Sequence, residues 1–116
     1  MTFGEYIRKV RESLRRDDKR YSLRQTAIRI SVEPAYLSKI ERGDVAPQSE
    51  DAIARLAADL GEDRDILLAM AGKVSSDLRA IIMKRPRLFA DLIRQLKNAP
   101  ERAVLRITRE VRDGDW

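Results

Sequence analysis

Apolar residues recur along the whole chain at the spacing of an α-helix. Near the N-terminus, Phe3, Ile7, Val10 and Leu14 are separated by four, three and four residues, which places them on one helical face. No segment alternates between apolar and polar residues for long enough to indicate a β-strand. The pattern predicts an all-α protein, with five helices followed by about three C-terminal helices.

Five helices are predicted in the first 72 residues, at about 3–16, 22–30, 34–42, 50–60 and 64–71. Ser22 and Ser49 stand where N-caps are needed, and Pro34 suits the first turn of the third helix. Gly43 and Gly61 end the third and fourth helices. The fourth and fifth helices should be buried through two sets of apolar residues: Ile53, Leu56, Ala57 and Leu60, then Ile66, Leu67 and Met70.

Residues 22–43 contain two short helices joined by a tight turn, the arrangement of a helix-turn-helix, which presents its second helix to the DNA major groove. Ala27 supplies the small residue that the helix crossing needs. Ser31 lies where the turn requires a left-handed backbone, and Val32 can fill the core beneath it. Since Leu37 and Ile40 face inward, the outward side of the second helix carries Ala35, Tyr36, Ser38, Lys39 and Arg42.

The charges are distributed in three blocks. Residues 1–43 carry 11 basic and 6 acidic side chains, residues 44–72 carry 2 and 7, and residues 73–116 carry 11 and 6. Attraction to phosphate makes the first block the expected nucleic-acid face, although many of these charges will simply be solvated.

The composition argues against several other functions. The chain has no cysteine and no histidine, which removes disulfides, thiolate ligands and the commonest general base. We therefore expect no enzyme activity, metal or cofactor. There is no apolar run of about 18 residues, so no association with a membrane is expected. The segment MTFGEYIRKV lacks the apolar core of a signal peptide, and a cytoplasmic location follows as the expectation.

The run AYLSKIERG at residues 35–43, together with Ala27, Val32 and Pro47, resembles the XRE family of phage Cro/repressor-type regulators. The resemblance covers about residues 3–70. It implies a five-helix, repressor-like DNA-binding domain in residues 1–72, with the helix-turn-helix at 22–43 and the recognition helix at about 34–42. The implied function is a sequence-specific transcriptional regulator, a repressor that binds a palindromic operator in double-stranded DNA as a homodimer.

The resemblance also assigns roles to individual residues. Base-reading positions are Pro34, Ala35, Ser38 and Lys39. The DNA backbone would be contacted by Ser22, Leu23, Arg24, Tyr36 and Arg42. Lys39 can donate to guanine O6 or N7, and Ala35 can meet a thymine methyl group. The family further implies a partly buried ion pair between Arg11 and Glu41.

Two features depart from the family pattern. The stretch from residue 11 to residue 22 is several residues longer than usual, so either the first helix is extended or residues 17–20 bulge out. Lys19 and Arg20 would then contact phosphate or remain solvated. Glu33 replaces the usual Ser or Thr cap of the third helix, where it suits the helix dipole but would repel a phosphate.

Residues 73–116 show three further helical patterns without a recognisable motif. Their apolar stripes exceed what packing onto a domain of about 70 residues would bury, which favours dimerisation. Three alternatives remain: these helices enlarge the core of a monomer, cover a toxin as part of an antitoxin, or meet a protease partner. Basic residues on the solvent side of the last helix are expected to be solvated: Arg102, Arg106 and Arg109.

Overall fold

The computed structural model describes residues 1–47 and 49–116, and every regular element in them is helical. The α-helices are α1 (Phe3–Arg15), α2 (Leu23–Arg29), α3 (Pro34–Arg42), α4 (Glu50–Leu60), α5 (Arg64–Met70), α6 (Ser76–Lys84), α7 (Pro86–Leu96) and α8 (Glu101–Asp113). A 3₁₀ turn at Lys19–Tyr21 lies between α1 and α2. The prediction of an all-α chain with five helices followed by three is confirmed. Within the described residues, no helix has the length and apolar character needed to span a bilayer.

The chain divides into two compact units, Met1–Ser76 and Asp77–Trp116. The first unit has a single hydrophobic core to which all five helices contribute. Its buried apolar side chains are Ile7, Ala27, Ile30, Leu37, Ile40, Ile53, Leu56, Ala57, Leu60, Leu67 and Leu68.

Local signals in the sequence set most helix boundaries of this unit. The Ser22 and Ser49 hydroxyls accept hydrogen bonds from the Gln25 and Ala52 amides, as expected of N-caps. Gly43 ends α3 in a left-handed conformation with φ of 80°. Ser31 has φ of 62°, which confirms the left-handed turn predicted at this position. The first helix is not extended, because α1 ends at Arg15 and the extra residues include the 3₁₀ turn.

The buried face predicted for the fifth helix is wrong in part. Leu67 and Leu68 are buried, whereas Ile66 is 60% exposed and Met70 is 36% exposed. A helix of seven residues completes fewer than two turns. Its apolar spacing therefore defines the buried face poorly, and contact with α4 decides which side chains are covered.

The second unit consists of α7, α8 and most of α6, and none of its described residues is buried. An apolar groove runs along α7 and α8, lined mainly by Leu92, Leu96, Val104, Ile107 and Val111. The unit has only 40 residues. Chains of about this size seldom bury enough apolar surface to be stable alone.

Candidate nucleic-acid interface

The turn between α2 and α3 is held by backbone hydrogen bonds. The Val32 amide donates to the Ala27 carbonyl at 3.0 Å, and the Ser31 amide donates to that of Ile28 at 3.1 Å. Ala27 has no exposed surface, so the small residue predicted at the crossing lies inside the core. These contacts fix the angle at which α3 leaves the turn.

On α3, the inward and outward faces are clearly separated. Leu37 and Ile40 are buried, as predicted, while Ala35 and Lys39 are exposed. Ser38, one helical turn from Ala35, is half-buried. Among the described residues, the Lys39 ammonium has no hydrogen-bond or ion-pair partner, so it is available to an external acceptor.

Pro34 and Glu33 form the start of α3. Pro34 is half-buried at the first helical position, and Glu33 is exposed and makes no side-chain cap hydrogen bond. The first turn of α3 therefore lacks the side-chain acceptor that a Ser or Thr would supply. A carboxylate at this end of the helix also lowers the local positive potential.

The residues assigned to the DNA backbone lie in different environments. Arg24 is exposed and has no ion-pair partner in the described part of the chain. Arg42 is exposed and pairs with Asp44 at 3.1 Å, a surface contact that costs little to break. Leu23 and Tyr36 are partly buried against the core. The Ser22 hydroxyl caps α2 by accepting from the Gln25 amide, so Ser22 lies at the first turn of this helix.

Arg11 and Glu41 lie together in the core of the first unit, with side chains 5% and 4% exposed. Arg11 Nε donates to Glu41 Oε2 at 2.8 Å, and a terminal nitrogen donates to Oε1 at 2.9 Å. The other terminal nitrogen donates to the Tyr21 carbonyl at 3.1 Å. The hydrogen bond to Glu41 raises the pKa of Arg11. One guanidinium thus joins α1, α3 and the 3₁₀ turn.

A second arginine, which the sequence patterns did not single out, connects α2 to α4. Arg29 Nε donates to Asp59 at 2.7 Å, and its guanidinium carbon lies 5.0 Å from the centroid of the Tyr21 ring. The hydrogen bond to Asp59 raises the pKa of Arg29. The two partners are 30 residues apart, so no local spacing could have revealed the pair.

Two further contacts hold the helices around the core. The Tyr6 hydroxyl donates to Glu62 at 2.6 Å, and this hydrogen bond raises the pKa of Tyr6. Arg55 Nε donates to the Ile30 carbonyl at 2.9 Å, which satisfies the C-terminal end of α2. Part of the acidic block at residues 44–72 therefore serves contacts inside the first unit.

The cations of residues 1–43 fall into two groups. Five are paired with carboxylates of the first unit: Arg8, Arg11, Arg20, Arg29 and Arg42. Six others have no side-chain partner within residues 1–47 and 49–116: Lys9, Arg15, Arg16, Lys19, Arg24 and Lys39. This unpaired charge gives the first unit its capacity to attract phosphate.

Comparison with known proteins yields one match. A sequence model of the family described as "Helix-turn-helix domain" matches residues 2–69, more than half of the chain. No curated protein and no solved structure matches the chain significantly.

Proposed function

The chain belongs to the helix-turn-helix domain family, and from this premise we propose that it is a sequence-specific transcriptional regulator of the XRE type. Such a domain binds DNA and is typical of regulators that are not enzymes. Our proposal adds that the protein is a repressor, which binds a palindromic operator as a homodimer. Residues 1–72 would bind DNA and residues 73–116 would form the dimer.

The observation that carries the proposal is the outward face of α3. Ser38 and Lys39 both lie about one turn after Ala35, and Lys39 is exposed without a partner in the described residues. In a major groove, Lys39 would donate to guanine O6 or N7, Ser38 would donate or accept, and Ala35 would contact a thymine methyl group. Pro34 would approach the bases at the first turn.

Phosphate contacts would hold α3 in register. Arg24 and the N-terminal turn of α2, with Ser22 and Leu23, would meet one backbone. Arg42 would exchange its exposed contact with Asp44 for a phosphate, and the half-buried Tyr36 would reach the backbone with its hydroxyl. The Arg11–Glu41 pair would not contact DNA, because it is buried. Its role is to set the orientation of α3.

The second unit supports dimerisation through its uncovered apolar surface. Ten large aliphatic side chains of α6, α7 and α8 are each at least 37% exposed. Four of them line the α7–α8 groove: Leu92, Val104, Ile107 and Val111. A second copy packed along the α7–α8 groove would provide the core that the unit lacks, and its two-fold symmetry would match a palindromic operator.

Selection from a pool of randomised duplexes tests the DNA-binding proposal, because it finds a preferred site whatever the operator sequence is. The full chain should enrich one motif made of two inverted half-sites whose centres are about 10 base pairs, or a multiple of this, apart. Failure to enrich any motif would contradict sequence-specific binding. Enrichment of a single, unsymmetrical half-site would contradict the dimer.

The dimer can be tested by light scattering on the full chain. Wild-type protein should have twice the mass of one chain, and Ile107→Asp should be monomeric because it places a charge in the apolar groove. Arg109→Ala, on the same helix and outside the groove lining, is the matched control and should remain dimeric. A monomeric wild type would contradict the dimer. If the wild type is dimeric, measuring the mass of residues 1–72 alone would show whether the interface lies in residues 73–116.

One observation favours a second candidate function, the antitoxin of a toxin–antitoxin pair. Residues 77–116 carry ten basic and six acidic side chains, so two copies of the second unit repel each other while an acidic protein partner is attracted. The α7–α8 groove would then cover a toxin. Copurification of a second small protein in fixed stoichiometry would support this candidate, and a homogeneous homodimer would oppose it.

A further inference from the structure

The segment between α1 and α2 carries more charge than a connection requires. Arg16, Lys19 and Arg20 occur within five residues, and all three side chains are exposed. Arg20 is neutralised by Asp18, with which it makes hydrogen bonds of 2.7–3.1 Å. Arg16 and Lys19 have no partner among the residues that the structure describes. The sequence alone did not distinguish Lys19 from Arg20, and the structure shows that only Arg20 is paired with a carboxylate.

Interactions with the rest of the first unit hold this segment in place. The Tyr21 carbonyl accepts from the buried Arg11 guanidinium at 3.1 Å, and the Tyr21 hydroxyl donates to the Asp59 carbonyl at 3.4 Å. Arg29 lies over the Tyr21 ring and also donates to the Arg20 carbonyl. A segment fixed in this way loses little backbone freedom when it binds a ligand.

The segment also leads directly into the end of α2 that faces the DNA backbone under the proposed function. Lys19 is three residues before Ser22, the N-cap of α2, and Arg16 is the C-cap of α1. Both cations are thus close in the chain to the first turn of α2, where Arg24 is also unpaired within the described ranges.

We propose that Arg16 and Lys19 form an additional phosphate-binding site, which contacts the DNA backbone next to the half-site read by α3. This inference rests on the proposed function. Arg20 takes no part, because its guanidinium makes three hydrogen bonds to Asp18, whereas Arg42 makes a single one to Asp44 that a phosphate can replace. Since phosphate contacts carry no base information, the site increases affinity for any duplex and leaves sequence preference unchanged.

The salt dependence of binding tests this site. Each lost phosphate contact reduces the slope of log K against log salt concentration by about 0.9. The Arg16→Gln/Lys19→Gln variant of the full chain loses two contacts per chain, so the slope should be reduced by about 3.6 for a bound dimer, both on the selected motif and on an unrelated duplex. Its enriched motif should equal that of the wild type, and thermal unfolding followed by circular dichroism should show that the fold is retained.

Lys9→Gln is the matched control, because it removes one exposed, unpaired cation of α1 from a position about 10 Å along the helix axis from Arg16. Its slope should equal that of the wild type. An unchanged slope in the double variant would overturn the site, and so would a reduction per charge in Lys9→Gln equal to that in the double variant. In either case, sequence-specific binding by the wild type would still uphold the proposed function. A wild type that binds no duplex would overturn both.

Discussion

Single residues with several partners determine the geometry of the first unit. Arg11 makes three hydrogen bonds, two to α3 and one to the 3₁₀ turn, from an almost fully buried position. The bidentate geometry specifies both the distance and the rotation of the Glu41 carboxylate. Arg11 therefore fixes the helix that presents Lys39, although it lies too deep to contact DNA.

We expect Arg11→Met to lower the free energy of unfolding by about 3 kcal/mol, because it leaves the Glu41 carboxylate buried without a counter-charge. Adding Glu41→Leu should restore much of this loss, since no charge then remains buried. Urea denaturation of Arg11→Met, of Glu41→Leu alone and of the double variant measures these changes. The control is Arg8→Ala, which breaks the exposed Arg8–Glu12 pair and should cost less than about 0.5 kcal/mol. If the double variant loses as much free energy of unfolding as the two single variants together, Arg11 and Glu41 do not interact.

The ion pair between Asp18 and Arg20 can be tested through its pH dependence. Hydrogen bonds from the Arg20 side chain and amide lower the pKa of Asp18 from 3.8 to about 2. Because the folded-state pKa is lowered, the stabilisation is complete above the ordinary value and is lost as the pH falls through about 2. An NMR titration should find this pKa, and Arg20→Gln should raise it towards 3.8. A wild-type pKa close to 3.8 would show that the pair does not form in solution.

At the scale of helices, the approach of α1 to α3 depends on Gly4. A Cβ atom on Gly4 would overlap the Ile40 carbonyl oxygen and lie 2.7 Å from that of Glu41. Both contacts are with the backbone of α3, which cannot move aside as a flexible side chain could. The helix α3 is thus positioned by a glycine as well as by the buried ion pair.

Gly4→Ala should destabilise the protein by about 1–3 kcal/mol, because α1 and α3 must separate. It should also weaken binding to the selected DNA motif under conditions in which the protein remains folded. The control is Gly61→Ala, where φ is 73° but no atom lies within 4 Å of the added carbon. That variant should lose on the order of 1 kcal/mol through backbone strain alone and keep its DNA affinity. Equal DNA binding by both variants would contradict this role of Gly4.

Helix-level features could be predicted from the sequence where the signal is local. Ser22, Ser49 and Gly43 mark helix boundaries because caps act within one turn of the chain. The longer α4 also has the buried stripe that its spacing predicts, ending at Leu60. The exposure of Ile66 was not predictable, because a short helix is oriented by its neighbours and not by its own period.

The candidate site was predictable only in its outline. The run at residues 35–43 locates α3 and its outward side chains, and whether those side chains read bases stays a prediction. The pair between Arg29 and Asp59 could not be predicted from local spacing, because the two residues are far apart in the chain. The same is true of Gly4, since a glycine near the start of a helix gives no indication that another helix backbone lies against it.

At the scale of the whole molecule, the charge blocks have different functions. Carboxylates of residues 44–72 are engaged within the first unit, as Asp59 is with Arg29, Glu62 with Tyr6 and Glu50 with Ser76. Because these carboxylates are engaged elsewhere, six cations of residues 1–43 have no side-chain partner in the described residues and face the solvent. The second unit is basic as well, and its uncovered apolar side chains make assembly with another chain its expected role.

The central claim is that α3 reads base pairs, and repeating the duplex selection with Lys39→Ala tests it most directly. Lys39 is exposed and lacks a partner in the described residues, so the substitution should leave the fold intact. We predict that the enriched motif loses its preference at one base pair of each half-site. Affinity for the wild-type motif should fall by about 1–3 kcal/mol per half-site, while affinity for unrelated DNA changes little. An unchanged motif bound with unchanged affinity would contradict the claim.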